Sequence, residues 1–346
     1  MKYFNFVVAI VLTILYATGK IPPSEKYNLW IVTFIIPFAL AANIIFLIVS
    51  LAMRKKSSLY YIVTLIIGSN YLLSTIGLKN IFHNSDFAGQ AFSLLSYNVN
   101  ASNDQSIDGW IANQEAEIQC YQEFVNRDHG RGFDEVALFQ SKGYHSYFSY
   151  DSTKAYKSAV VGTLITSKFP MINSGDIVAS ENGFNRITYA DLKVNGDTVR
   201  IVNVHLESMG LKRFHPLRTS GYESRKENTR IIIDKLKEGV FERSRQIKIL
   251  TAFIEASPYP IICAGDFNDM PYSYSYQFMK RHMKNTFEEV GTGLGFTYNG
   301  HTLRVLRIDN QFYSSGVRAE QFETLTQIKF TDHFPLQGLY TFTAKR

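Results

Sequence analysis

The chain has 346 residues, of which 46% are apolar, so it can bury a sizeable core and is not globally disordered. Its two cysteines exclude a scaffold held together by disulfides. The net charge of +6 would suit a nucleic-acid-binding protein, but only if the basic residues lie in the folded part of the chain.

The basic excess lies entirely in the first 79 residues. Residues 1–79 contain seven of the 36 Lys and Arg residues but only one of the 30 Asp and Glu residues. Residues 80–346 therefore hold 29 of each and are formally neutral. Because the first 79 residues are otherwise apolar, the charge indicates a membrane segment rather than a surface for nucleic acid.

Three apolar segments in this part predict three transmembrane helices, at about 4–18, 29–53 and 59–78. A helix rises about 1.5 Å per residue, so about 20 apolar residues cross the hydrocarbon core of a bilayer. The second segment has no ionisable side chain and therefore no polar face for water. The first segment also has the length of a signal-peptide core, but the hydrophobic segments that follow it favour a retained helix over a cleaved signal.

The orientation of these helices follows from the short loops. Arg54, Lys55 and Lys56 form a basic cluster between the second and third segments, which predicts a cytoplasmic loop. The third helix then leaves the membrane outward. We therefore expect residues 1–79 to be a membrane anchor and residues 80–346 to be one extracytoplasmic domain.

Residues 80–346 have the pattern of short strands with a few helices between them. Strands are predicted at 91–99, 117–121, 159–167, 198–206 and 259–265, and helices at 108–117 and at 223–256, the last as one helix or two helices broken at Gly239. Strands and helices mix without regular βαβ alternation, which predicts a layered α/β or α+β domain. Cys120 and Cys263 lie in apolar strand segments, which favours buried thiols and leaves a disulfide open.

Polar residues of a few types recur where the predicted strands end. They are Asn98, Glu123, His205, Asp266, Asn268, Asp309, Asp332 and His333. Each alone would be read as a turn or surface residue. Together they supply oxygen ligands for Mg²⁺ or Mn²⁺, imidazoles for proton transfer and amides for a phosphoryl group, which is the inventory for metal-assisted phosphoester hydrolysis.

Six motifs contain these residues in one order along the chain. They are S-Y-N-V (96–99), Y-Q-E-F (121–124), N-V-H-L (203–206), A-G-D-F-N-D (264–269), R-I-D (307–309) and T-D-H-F-P-L (331–336). With them, the chain resembles the endonuclease/exonuclease/phosphatase superfamily, the DNase I-like fold, over about residues 90–342. The three apolar segments before such a domain resemble a membrane-anchored bacterial branch. The resemblance implies a four-layer α/β sandwich of two mixed β-sheets flanked by helices, with the site at one end.

The resemblance also implies a role for each residue. Glu123 would be the principal ligand of Mg²⁺ or Mn²⁺, with Asn98 and Asp332 near the metal. Asp266 would orient or deprotonate the attacking water, and Asn268 would bind phosphoryl oxygens.

The two imidazoles complete this implied site. His333, paired with Asp309, would contact the scissile phosphate, and His205 would be the second imidazole. The chain departs from the superfamily pattern at Asn310, where Tyr is usual, and at Asn100, where some relatives have Asp. The missing carboxylate at residue 100 favours a site for one metal ion.

The sequence leaves the substrate open. The formally neutral domain and the membrane anchor favour a phosphodiester or phosphomonoester such as a lipid headgroup, cleaved in the periplasm by a protein of the bacterial inner membrane. The alternatives are an extracytoplasmic nuclease and a catalytically silent, receptor-like binding domain. A local basic patch within 207–248 would serve a nuclease; its residues are Lys212, Arg213, Arg218, Arg225, Lys226 and Arg230.

Overall fold

The structure is a computed structural model. It describes residues 2–24, 26–78, 90–102, 105–127, 134–151, 159–179, 184–208, 222–300 and 306–343, the side chains of 2, 105 and 222–226 excepted. The chain forms two compact units. The first contains residues 1–76, 209–247 and 269–279, and the second contains residues 77–208, 248–268 and 280–346.

The first unit is helical. Its N-terminal helices are α1 (Lys2–Thr18), α2 (Val32–Ala52), α3 (Ser58–Ile67) and α4 (Ser69–Leu73), with a 3₁₀ turn at Leu29–Ile31 before α2. A short strand, β1 (Ile76–Leu78), follows. Of the described helices, the one at Leu29–Ala52 has 24 residues and is long and apolar enough to cross a membrane, whereas Tyr3–Thr18 and Ser58–Ile67 are shorter apolar helices. The prediction of three spanning helices is therefore not confirmed.

The third apolar segment is not the single helix that its composition predicts. The helix stops at Gly68, where an added Cβ would lie 2.8 Å from the ring of Tyr16 on α1. It stops again after Leu73, and the chain then turns into β1. At this second break the hydroxyl of Ser74 donates to the carbonyl of Asn70 at 2.7 Å. Composition alone does not show either break.

These N-terminal helices bury a mixture of apolar and polar side chains, and many of their exposed side chains are apolar. Asn43 is fully buried; its Nδ2 donates to the hydroxyl of Tyr16 at 3.3 Å, and its Oδ1 accepts from Thr64 at 3.1 Å. By contrast, Phe38 is 75% exposed and Ile66 is 66% exposed. The apolar outer face differs from the polar outer face of a water-soluble helical bundle.

The second unit contains two six-stranded sheets. The first sheet has the order β13-β14-β2-β3-β5-β4. Its strands are β2 (Phe92–Asn98), β3 (Ile118–Arg127), β4 (His145–Tyr150), β5 (Ala159–Ser167), β13 (Val317–Thr324) and β14 (Leu336–Phe342). β2 and β3 are parallel and the other pairs are antiparallel, so the sheet is mixed.

The second sheet has the order β10-β12-β9-β8-β7-β6. Its strands are β6 (Met171–Ala179), β7 (Arg186–Val194), β8 (Asp197–His205), β9 (Ile261–Asp266), β10 (Lys284–Asn285) and β12 (Asp309–Tyr313), and a further short strand is β11 (Thr292–Leu294). β8 and β9 are parallel and the other pairs are antiparallel. Two mixed sheets with helices confirm the predicted DNase I-like fold class.

Helices connect the strands of these sheets. They are α5 (Gln105–Ala112), α6 (Glu135–Ser141), α7 (Tyr222–Glu255), α8 (Tyr274–Met279) and α9 (Thr286–Val290). α6 begins at an N-cap, Asp134, whose side chain accepts from the amides of Val136 and Ala137. The segment 223–256 forms one 34-residue helix, not two, because the roughly 1 kcal/mol penalty of Gly239 is too small to break it.

Side chains from both sheets meet in the core of this second unit. Apolar residues of both sheets form one buried cluster, among them Phe92, Ile165 and Ile201. Polar side chains also link the strands: Gln122 Nε2 on β3 donates to Asn203 Oδ1 on β8 at 2.7 Å, and Asn203 Nδ2 donates to the Tyr121 carbonyl at 3.0 Å. Buried polar groups that are paired in this way fix one relative register of the sheets. Cys120 and Cys263 are both buried and free, as their apolar surroundings suggest.

Candidate active site

One edge of the two sheets brings the predicted polar residues together. β2 ends at Asn98, β8 at His205 and β9 at Asp266. Because β8 and β9 are parallel, His205 and Asp266 lie side by side. Asp309 does not follow a strand, as the sequence suggested, but begins β12; since β12 is antiparallel to β9, it still pairs with Asp266 at the same edge.

Glu123 also differs from its predicted position at a strand end. β3 continues to Arg127, and Glu123 lies at a β-bulge between Tyr121 and Phe124 with a φ of 51°. A bulge leaves one residue unpaired and redirects its side chain. The side chain of Glu123 is 21% exposed, whereas those of Asp266 and His205 are each 2% exposed.

Asn98 connects the two sheets across this edge. Its Nδ2 donates to Asp266 Oδ2 at 2.9 Å and lies 3.4 Å from Glu123 Oε1. Its Oδ1 accepts from the amide of Asn100 at 2.9 Å, which fixes the orientation of the side-chain amide. Asn98 therefore places a neutral donor between two carboxylates that would otherwise repel each other.

The imidazole of His205 faces the same two carboxylates. Its Nδ1 lies 2.8 Å from the carbonyl of Phe184, which can only accept, so Nδ1 carries the proton. Its Nε2 lies 3.7 Å from Glu123 Oε1 and 3.9 Å from Asp266 Oδ2.

His333 and Asp309 form a buried pair. His333 Nδ1 lies 3.0 Å from Asp309 Oδ2, and His333 Nε2 lies 3.8 Å from Asp266 Oδ2. Burial by itself lowers the pKa of His333, but the carboxylates of Asp309, Asp266 and Asp332 outweigh it and raise the pKa to about 9. The pair therefore holds its proton on the imidazole near neutral pH.

Asp266 and Asn268 form a tight turn after β9. The amide of Asn268, whose φ is 49°, donates to Asp266 Oδ1 at 2.8 Å. Asn268 Nδ2 donates to the carbonyl of Leu206 at 2.9 Å. Gly265 makes this turn possible: its φ is 145°, and an added Cβ would lie 2.0 Å from the carbonyl oxygen of Val204.

Two threonines that the sequence analysis did not single out hold the histidine pair in place. Thr297 Oγ1 accepts from the amides of Ile308 and Asp309, each at 3.0 Å. Thr331 Oγ1 donates to the carbonyl of Asn98 at 3.0 Å and accepts from the amide of His333 at 3.1 Å. Thr331 begins the T-D-H-F-P-L motif, which is a sequence signal, whereas nothing around Thr297 marks it.

All eight predicted residues therefore lie at one edge. Asp332 joins them through its Oδ1, 3.8 Å from His333 Nε2. The departure from the superfamily pattern at Asn310 leaves Asp309 paired with Asp266. Asn310 itself is buried and accepts from Asn285 Nδ2 at 3.3 Å. Of the proposed basic patch, Lys212, Arg213 and Arg218 lie outside the described residues, as do the side chains of Arg225 and Lys226.

Two sets of side chains at this edge are candidates for a metal site. Asp266, Asp309 and His333 form a buried cluster whose ligand atoms lie within 4.8 Å of one another. A protonated His333 has no lone pair for a metal ion, so this cluster suits proton transfer better. The second set offers oxygen atoms, which are the donors that Mg²⁺ and Mn²⁺ prefer; it consists of Glu123, Asn98 and Asp332. Of the two carboxylates near Asn98, that of Glu123 is more exposed than that of Asp266.

Comparison with known proteins identifies the family of this domain. Residues 95–333 match the Endonuclease/Exonuclease/phosphatase family, and residues 1–75 match a domain of unknown function, DUF8431. No curated protein sequence matches the chain.

Solved structures share the fold at low sequence identity. The human Nocturnin catalytic domain with bound sulfate is 16% identical with a TM-score of 0.51, over 75% of this chain and 97% of that one. TDP2 from D. rerio, complexed with a single-strand DNA product, is 15% identical with a TM-score of 0.52, over 73% and 99%. An endonuclease/exonuclease/phosphatase from Beutenbergia cavernae is 13% identical with a TM-score of 0.50, over 73% and 72%.

Proposed function

Because the chain belongs to the Endonuclease/Exonuclease/phosphatase family, we propose that it is a membrane-anchored, metal-dependent phosphoesterase that cleaves its substrate with an activated water molecule. The observation that carries this proposal is the set of contacts at one sheet edge. There Asn98 bridges Glu123 and Asp266, and the His333–Asp309 pair faces Asp266.

Glu123 is the proposed principal ligand of one Mg²⁺ or Mn²⁺ ion, with Asn98 and Asp332 beside it. The ion would supply positive charge to the phosphoryl oxygens of the substrate. Asn100 offers no carboxylate for a second ion, and its amide already donates to Asn98 Oδ1. One ion is therefore the number that this donor set supports best.

Asp266 is the proposed base that orients or deprotonates the attacking water. Asn268 and Asn98 each donate one hydrogen bond to its two oxygens, at 2.8 and 2.9 Å, so the carboxylate has one fixed orientation. Each carboxylate oxygen can accept a second hydrogen bond, which leaves room for a water proton. A fixed base needs no reorganisation when the reaction occurs.

The two imidazoles and Asn268 are proposed to bind the phosphate. His333 carries a proton on Nε2 while Asp309 holds Nδ1, so it can donate to a phosphoryl or leaving-group oxygen. His205 lies on β8, next to Asp266 on β9. Its Nε2 lies 3.9 Å from Asp266 Oδ2, the oxygen that His333 Nε2 also faces. Asn268 has a second N–H on Nδ2 besides the one given to Leu206.

The N-terminal part supports the proposed membrane anchor. The helix at Leu29–Ala52 is long and apolar enough to span a bilayer, and the helices around it bury Asn43, Tyr61 and Tyr71 while exposing Phe and Ile. Lipid around the bundle would cover that apolar face. The basic loop at residues 54–56 would lie in the cytoplasm, and the catalytic domain, proposed as residues 80–346, in the periplasm of a bacterial inner membrane.

A phosphorylated lipid headgroup is the substrate class that fits this arrangement best. Residues 80–346 are formally neutral, so they do not provide the excess of positive charge typical of a nuclease. Nuclease activity is the second candidate, because the structurally similar TDP2 was solved with a single-strand DNA product.

The test uses the full chain in detergent and in vesicles. Release of phosphate or headgroup from phospholipid vesicles is measured beside nicking of plasmid DNA at low salt, with Mg²⁺ or Mn²⁺, and Glu123→Ala serves as the blank. We expect lipid turnover that Glu123→Ala abolishes. Plasmid nicking that Glu123→Ala abolishes, without lipid turnover, would instead establish a nuclease. Binding of a substrate without turnover would instead favour a catalytically silent, receptor-like binding domain.

A further inference from the structure

The loop that follows β2 touches the proposed metal ligands on both neighbouring strands. The amide of Ala101 donates to the carbonyl of Glu123 at 3.0 Å, and the amide of Asn100 donates to the side chain of Asn98 at 2.9 Å. The conformations of Asn98 and Glu123 therefore depend on where residues 98–102 lie.

This region is conformationally strained. Asn100, Ala101 and Glu123 all have positive φ angles, of 54°, 45° and 51°. A non-glycine residue in this region costs about 1 kcal/mol or more, and only Asn is favoured there. Ala101 and Glu123 keep their conformations only if the surrounding structure holds the loop.

Arg127, at the end of β3, supplies such a hold. Its Nη2 donates to the carbonyl of Ser102, and its Nη1 lies 3.0 Å from Glu135 Oε1 and 3.3 Å from Asp108 Oδ2. Its backbone amide donates to Glu135 Oε2 at 2.7 Å. The guanidinium thus ties the end of the 98–102 loop to α5 and α6.

The position of Arg127 makes these contacts strong. Its side chain is 13% exposed and that of Glu135 is 8% exposed, so water screens their ion pair little. Only a planar guanidinium donates to a carbonyl and two carboxylates in fixed directions; a lysine amine keeps the charge but not this geometry.

We propose that Arg127 is a positioning residue, which fixes the 98–102 loop and thereby holds Asn98 and Glu123 in the geometry that binds the metal ion. This inference rests on the metal-dependent function proposed above. Arg127 is not placed in contact with the metal ion or the substrate, so it acts through Asn98 and Glu123. Its loss should therefore appear first as weaker metal binding.

The test measures Mn²⁺ affinity of the full chain in detergent without substrate, by electron paramagnetic resonance, for the wild type, Arg127→Gln and Arg127→Lys. Loss of a group that orients a metal ligand weakens binding by about 10- to 100-fold. We expect an effect of about 10-fold for Arg127→Gln and a smaller one for Arg127→Lys. The Mg²⁺ concentration for half-maximal turnover should rise by a similar factor.

Arg200→Gln is the matched control. Arg200 is also buried and forms a bidentate pair with Asp191, at 2.6 and 2.9 Å, but it lies on β8 five residues before His205. This variant should lower the melting temperature and leave the Mn²⁺ affinity within about twofold of the wild type.

Unchanged Mn²⁺ affinity in Arg127→Gln, with a lowered melting temperature like that of Arg200→Gln, would overturn the proposal and leave the metal-dependent function standing. If Arg127→Gln does not fold, Arg127→Lys is measured instead, and an unchanged Mn²⁺ affinity in that variant would overturn the proposal. A wild type that binds no Mn²⁺ would overturn the proposed metal site together with this inference.

Discussion

Asn98→Asp tests whether the neutral amide between Glu123 and Asp266 keeps two carboxylates apart. The change is nearly isosteric and replaces the Nδ2 donor, 2.9 Å from Asp266 Oδ2, by an oxygen with negative charge. We expect the metal-free protein to lose stability at neutral pH and to recover it when Mg²⁺ is added.

The magnitude follows from that distance. Two unit charges 2.9 Å apart repel by about 6 kcal/mol at an effective dielectric constant near 20. Proton uptake limits the cost: near pH 7 a carboxyl that ordinarily titrates near pH 4 takes up a proton for about 4 kcal/mol, and near pH 5 for about 1.5 kcal/mol. In the folded variant the repulsion raises the pKa of one carboxyl of this pair above its unfolded value. The variant is therefore destabilised above about pH 4, and the loss of stability shrinks as the pH falls.

The assay is thermal unfolding of the full chain in detergent with a chelator, near pH 7 and near pH 5. For a domain of this size about 1 kcal/mol shifts the melting temperature by about 2–4 °C, so we expect a loss of about 12 °C near pH 7 and about 4 °C near pH 5. Millimolar Mg²⁺ should restore more than half of the loss near pH 7, because a divalent cation offsets the added charge.

Asn98→Ala is the control, since it removes the same hydrogen bonds without adding charge. Its cost, about 1–3 kcal/mol, should be the same at both pH values. The reasoning fails if Asn98→Asp loses the same stability at both pH values, or if Mg²⁺ leaves that loss unchanged.

Further predictions concern the histidine pair and the glycine before Asp266. In the metal-free protein His333 should titrate at about 9, so the pair's contribution to stability is complete below about pH 6.5 and is lost as the pH rises through about 9. Asp309→Asn should lower the pKa of His333 by more than about one unit, which NMR of the labelled imidazole measures; an unchanged pKa would show that the carboxylate does not hold the proton there. Gly265→Ala should cost more than about 3 kcal/mol in thermal unfolding, whereas Gly196→Ala, also at positive φ but with no atom within 4 Å of the added Cβ, should cost about 1 kcal/mol. Equal losses in these two glycine variants would contradict the close backbone approach at Gly265.

Asn98, His205 and Asp266 were predicted at strand ends, and β2, β8 and β9 end at these three residues. β8 and β9 are parallel, so His205 and Asp266 meet without any special backbone conformation. The strands around them were also predicted from short apolar segments, and 159–167 coincides with β5.

The positions of Glu123 and Asp309 depend on tertiary structure and could not be read from local pattern. Glu123 adopts a φ of 51° at a bulge, where its carbonyl accepts from the amide of Ala101, which comes from another part of the chain. Asp309 reaches the site by starting an antiparallel strand, which gives the same edge as ending a parallel one. The close approach of Gly68 to Tyr16, 52 residues earlier in the chain, likewise depends on tertiary structure.

Turnover of bis-p-nitrophenyl phosphate by the full chain tests the central claim most directly. The wild type should hydrolyse it with Mg²⁺ and lose activity with a chelator. Glu123→Gln and His333→Gln should each reduce the rate by at least about 100-fold, whereas Glu323→Gln, at an exposed position on β13, should not change it. Mg²⁺-dependent rates that are the same in all four proteins would contradict the proposed metal-dependent mechanism.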